Sequence, residues 1–117
     1  MFLACIASLP SGTGAATVAF YDVTGTQVTL TVPRGNVRIL TRPIVLSPKT
    51  KARAAVTVSA VVDCYYFEPL GAKVYLVRIY NAAEECAQEF EVPSNRLFDG
   101  RRVAQATKPP SARTAVA

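Results

Sequence analysis

Gln27-Val28-Thr29-Leu30-Thr31-Val32 and Val56-Thr57-Val58-Ser59-Ala60-Val61-Val62-Asp63 are the stretches that settle the fold class. In the first, apolar and polar residues alternate. In the second, Val56, Val58, Ala60 and Val62 share one face, and Thr57 and Ser59 share the other. A period of two is that of a half-buried strand, and the branched Cβ atoms of Val and Thr suit a pleated surface. Outward from these runs, turn signals recur at Thr24-Gly25, Pro33-Arg34-Gly35-Asn36, Ser47-Pro48-Lys49 and Glu68-Pro69-Leu70-Gly71. Ser11-Gly12-Thr13-Gly14 reads as a linker or hairpin turn, because it lacks the Gly-Lys-Ser/Thr ending of a phosphate-binding loop. The pattern predicts strands near 2–8, 16–22, 27–32, 37–46, 54–67, 73–80 and 101–107. Turn signals at such short intervals predict an all-β fold, an antiparallel sandwich or jelly-roll-like barrel over residues 1–107.

Departures from alternation carry further expectations. Val74-Tyr75-Leu76-Val77-Arg78-Ile79-Tyr80 is apolar on both faces, which predicts a central strand, buried twice or covered by another subunit. Pro43 lacks a donor inside the run 37–46 and calls for an edge position or a bulge. Residues 82–90 hold strong helix formers behind Asn81, with Glu84 three residues on, and predict the one short helix. The competing strand reading turns Cys86, Gln88 and Phe90 one way and Glu89 and Glu91 the other. Residues 108–117, with Lys108, Pro109, Pro110 and Arg113, have too little apolar surface for a core and read as an extended tail.

At 117 residues and 12.5 kDa, with 50% hydrophobic and 18% charged residues, the chain is one domain's worth of polypeptide and not a disordered one. His is absent, which removes Ser-His-Asp and Cys-His catalysis and the commonest metal ligand. Cys5, Cys64 and Cys86 have no zinc spacing and an odd count. Each has apolar neighbours and reads as a buried, reduced thiol, which fits a reducing interior. No metal or cofactor is expected. Residues 1–9 lack the cationic start of a signal peptide, and no run approaches a membrane span, so a first strand is expected there and neither secretion by a signal peptide nor membrane insertion.

The net charge of +5 is unevenly spread. Residues 34–53 hold Arg34, Arg38, Arg42, Lys49, Lys51 and Arg53 without an acid. Residues 54–95 are net −4, with Glu84, Glu85, Glu89 and Glu91 crowded together, and 96–117 return to +4. Alternating blocks suit complementary faces that meet between copies, or a solvated surface. A basic nucleic-acid-binding barrel is a weaker alternative, because the 34–53 block contains no aromatic to stack on bases. Asp63 lies in an apolar run, so it must end a strand in water or be held by Arg78 or Arg102.

Val61-Val62-Asp63-Cys64-Tyr65-Tyr66 resembles the G-V-I-D-x-x-Y segment of the trimeric dUTPase family. Gly71 to Asn81 is similar to the strand that follows there, and Gly100-Arg101-Arg102-Val103-Ala104-Gln105 resembles G-D-R-I-A-Q. The resemblance covers roughly residues 33–107. It implies jelly-roll subunits that share sites, with the water-activating role on Asp63, the nucleoside-packing role on Tyr66, and Arg101 and Arg102 at the binding site. Ala60 stands where that family has Gly, and Arg101 where it has Asp. No Arg-Ser-Gly phosphate motif precedes Asp63, and no glycine-rich arm follows Gln105. The resemblance therefore implies a scaffold without the enzyme's electrostatics.

The expectation is a non-enzymatic structural or interaction protein that assembles with copies of itself or a larger particle, with the profile of a virion accessory or capsid-cementing protein. Arg34, Arg38, Arg42, Lys108, Pro109, Pro110 and Arg113 are its candidate interaction residues. A degenerate dUTPase-like nucleotide binder and the nucleic-acid-binding barrel are the alternatives.

Overall fold

The chain reverses at Asp22-Val23-Thr24-Gly25-Thr26 because Asp22 organises the turn. Its carboxylate accepts from the Thr24 and Thr26 amides at 2.9 and 3.0 Å and from the Thr24 hydroxyl at 2.6 Å. Gly25 supplies the left-handed conformation at φ 86°. Partial burial pushes the Asp22 carboxyl up, but these hydrogen bonds outweigh it and hold the group below its ordinary range.

The computed structural model describes residues 1–12, 14–46 and 56–107. Its strands are β1 (Phe2–Ser8), β2 (Ala15–Tyr21), β3 (Gln27–Pro33), β4 (Val37–Leu46), β5 (Val56–Asp63), β6 (Tyr66–Pro69), β7 (Val74–Asn81), β8 (Cys86–Pro93) and β9 (Leu97–Phe98), followed by the helix α1 (Gly100–Ala106). The larger sheet has the order β3-β2-β1-β5-β4, with β9 beside the start of β1, and the smaller is β6-β7-β8. Every pairing is antiparallel.

Only the 3-10 turn Arg34–Asn36 joins β3 to β4, which lie at opposite ends of the larger sheet's order. Four Cα steps reach at most ~14 Å, whereas five flat strands would hold those edges ~19 Å apart. The larger sheet must therefore curl. Its concave side holds the main core: Leu3, Cys5, Val18, Phe20, Leu30, Val32, Ala60 and Val62, closed from the smaller sheet by Val77, Ile79 and Val92. The Ala82 amide donates to the Thr31 carbonyl at 2.6 Å and the Val23 amide to that of Glu91 at 2.8 Å, tying the two sheets together. A second cluster, Ala4, Leu40, Val58, Val61, Phe98 and Val103, lies on the convex side beneath β9 and α1, so Val56 and Val58 do not share the face of Ala60 and Val62 as strict alternation predicts: the β4–β5 register shifts between them.

Proline placement follows the sheet edges. The end strands β3, β4, β6 and β8 carry Pro33, Pro43, Pro69 and Pro93, and β1, β2, β5 and β7 carry none. A residue without an amide donor is tolerated where no neighbour needs the bond. The β4–β5 register also shifts between Ile39 and Ile44, so Pro43 sits at an edge and in an irregular stretch. As its apolar run demands, β7 is the centre of its sheet, with Val77 and Ile79 buried.

Three further expectations are corrected. Residues 82–90 do not form the helix. Ala82–Glu85 is a hairpin loop, in which the Ala83 amide donates to the Asn81 side chain at 3.1 Å and Glu85 turns left-handed at φ 53°. Cys86–Pro93 then pairs with all of β7. Burial of Val92 and the edge-to-face contact of Phe90 on Phe20, centroids 5.3 Å apart, outweigh propensity differences of a few tenths of a kcal/mol per residue. The helix lies instead at Gly100–Ala106, where a strand was expected, because Asp99 caps it by accepting from the Arg102 amide at 2.8 Å. The run 54–67 breaks at Cys64-Tyr65, where the Cys64 amide donates to Met1 and the Tyr65 amide to Arg78, passing the chain between sheets. Residues 54 and 55, the turn 47–49 and the tail 108–117 lie outside the described residues.

Candidate functional site

The basic residues of β4 and α1 share one surface. The Leu40–Thr107 bridge draws the end of α1 to the edge of β4, and Val103 is buried beneath the helix. Arg38 on β4 holds its guanidinium 5.3 Å from the centre of the Phe2 ring. Arg102 on α1 does the same over Phe98 at 3.9 Å. Each stack holds a cation over a ring face. Arg42 and Arg101 are exposed on the same two elements. Arg34 stands apart from the other interaction candidates. Its guanidinium donates to the Pro10 carbonyl and its amide to Gly14 at 3.0 Å, so it buttresses the β1–β2 connection. Lys108, Pro109, Pro110 and Arg113 fall outside the described residues.

The residues singled out by the dUTPase resemblance separate. Asp63 ends β5 with its side chain in water, the first of the two arrangements open to it. Phe2 pairs with both Asp63 and Phe98, so Asp63, Phe2 and the Arg102-covered ring form one cross-strand row. Tyr66 belongs to the other sheet, with one ring face under Arg78 at 4.6 Å. Arg78 is engaged by Glu89, Nε to Oε2 2.7 Å, and not by Asp63.

That ion pair belongs to an acidic face on β6-β7-β8. Tyr66, Arg78 and Glu89 lie opposite one another across the three strands, and Glu68, Leu76 and Glu91 form the neighbouring row. Glu84 accepts from the Gln88 amide group at 2.7 Å at the hairpin end, beside exposed Glu85. The sequence shows the crowding of acids, but register alone decides which groups face each other.

Cys5 and Cys64 are buried in the main core, as expected, and Cys86 is not: it opens β8 exposed. Its apolar neighbours pointed to burial, but Cys86 stands in the hairpin's outermost pair, opposite Asn81, with its own side chain exposed. Arg96, unremarkable in sequence, has a buried Nη1 without a hydrogen-bond partner among the described residues.

No group of three His, Cys, Asp or Glu among the described residues could hold a metal ion. No helix among them is long and apolar enough to cross a membrane. Comparison of the chain with protein-family models, with curated proteins and with solved structures gave no match.

Proposed function

We propose that the protein is a non-enzymatic interaction domain that assembles with copies of itself, as a structural part of a larger particle of the virion-accessory or capsid-cementing kind. One observation carries this reading: opposite charges are gathered on different layers, the basic β4–α1 surface on the larger sheet and the acidic face on the smaller. Long-range attraction between such faces orients encounter, and the ring-stacked guanidinia reduce the ordering cost at contact. Exposed Ile39, Val45, Tyr65, Phe67 and Leu70 add apolar surface on β4 and around β6.

Sedimentation of the full chain at about 50 and 500 mM salt tests the reading. A multiple of the 12.5 kDa chain mass at low salt, shifting toward one chain at high salt, is expected. One chain at every concentration and salt overturns self-assembly. Tight, steeply salt-dependent binding of a random oligonucleotide would move the basic surface to nucleic acid.

A further inference from the structure

The central strand β7 is apolar on both sides, and the core takes only one of them. Val77 and Ile79 point inward at 0% and 1% exposure. Val74, Leu76 and Tyr80 alternate to the outer side of the smaller sheet, stay half-buried and join neither core cluster. A sheet with one side in water carries polar residues there, so an apolar stripe along its middle marks a side that a partner covers. The Glu68–Leu76–Glu91 row crosses this stripe, an apolar centre between two carboxylates whose strands lie ~10 Å apart. Among the described residues neither Glu68 nor Glu91 has an ion pair. The neighbouring acids differ: Glu89 is held by Arg78, Glu84 by Gln88, and Glu85 lies in the hairpin loop beyond the paired strands.

We propose that this outer side receives Lys108-Pro109-Pro110-Ser111-Ala112-Arg113 of a second copy, with the prolines over Leu76 and the two cations toward Glu68 and Glu91. The segment has the complementary order, a cation, an apolar pair and a cation, with no acid between. It holds the chain's only adjacent prolines, which favour an extended backbone and dock on aromatic and apolar side chains. At ~3.1 Å per residue Lys108 and Arg113 stand ~16 Å apart, and their flexible stems cover the difference from the spacing of the acids. The occupant comes from another copy because of where the segment starts. Thr107 is bridged to Leu40 on β4, so Pro109 and Pro110 reach at most ~7 and ~11 Å from it. The receiving side is the far side of the smaller sheet, with the core between that sheet and the larger one, and packed sheets are ~10 Å apart. The prolines therefore do not reach round to their own face. The inference rests on the self-assembly reading and assigns it a contact.

Charge reversal on each side tests the contact in the full chain. Sedimentation at about 50 mM salt compares wild type with two double variants, Glu68→Lys with Glu91→Lys on the face and Lys108→Glu with Arg113→Glu on the tail. Each variant alone sets like charge against like and is expected to associate about tenfold or more weakly than wild type. In an equimolar mixture the basic tail of the face variant fits the acidic face of the tail variant, and the acidic tail fits the basic face. Mixing is therefore expected to restore association. Either variant associating as tightly as wild type overturns this contact and leaves self-assembly standing, and so does a mixture that associates no better than its parts. A monomeric wild type overturns both. If the face variant does not fold, a synthetic peptide of residues 107–117 in excess over full-length wild type decides. A fall toward the mass of one chain is then expected, and an unchanged mass overturns the contact.

Discussion

Cys5 and Cys64 face the same core and titrate against it. Burial, with the Cys64 charge adding to it, pushes the Cys5 thiol up to about 12 from 9.0. Burial likewise pushes Cys64 up to about 12, the N-terminal ammonium opposing and Asp63 reinforcing it. Between those values the folded chain keeps protons that the unfolded chain releases. The thiols' contribution to stability is thus fully present below about pH 9 and lost as pH rises through about 12, by up to ~1.4 kcal/mol per pH unit for each thiol. Urea melts between pH 8 and 11 should show this decline, and Cys64→Ala should remove about half of the thiol part. The same burial predicts alkylation of Cys86 alone in the folded protein at pH 8. Modification of Cys5 or Cys64 at a comparable rate would contradict the core assignment.

Among the elements, α1 depends on its cap. Val103 anchors it in the convex-side core, and the Asp99 carboxylate satisfies the Arg102 amide at its start. Asp99→Ala should cost ~0.5–2 kcal/mol in a denaturant melt, and Asp99→Ser should recover most of it. For β7, Val77→Asp or Ile79→Asp would bury an unpaired carboxylate where exposure is 0% and 1%. Neither should yield soluble folded protein, and an unchanged melting midpoint for both would refute the central strand. The prolines of β3, β4, β6 and β8 act in the opposite sense, since each removes a donor from an edge that could recruit a foreign strand. Association between copies is therefore expected to run through side chains rather than a continued sheet.

For the whole molecule, deletion of the tail 108–117 is expected to separate stability from assembly. Ordering it costs ~1–2 kcal/mol per residue with almost no large apolar side chain to offset that. On the proposed assembly, Pro109 and Pro110 would lower that cost by favouring an extended backbone, and Lys108 and Arg113 would complement acids such as Glu84–Glu91 on a neighbour. A chain ending at Thr107 keeps the bridge to Leu40 and should melt within about 2 °C of the full chain. It should also associate more weakly at the same concentration and salt. Equal association, or a large loss of monomer stability, would return the tail to a passive or a core role.

Strand periodicity, turn chemistry and the both-faces-apolar run of β7 are local properties, so the all-β class and most strand limits were legible in the order of residues. A missing donor and an unpaired carboxylate each admit few placements, so the sequence narrowed Pro43 to an edge or a bulge and Asp63 to water or an arginine, and the tertiary structure chose among them. The strand at 86–93 was not legible. Its residues favour a helix by themselves, and only Phe20 and the length of β7 make the extended form pay. The helix at 100–106 was not legible either, because its reason to form is the uncovered convex side of β1, β4 and β5, which exists only after the strands pair. The Tyr66–Arg78–Glu89 row, Arg38 stacked on Phe2, and the side chains around Arg96 all join residues far apart in the chain. Such contacts are set by register and by the curl of the sheet, which packing decides among many locally acceptable pairings.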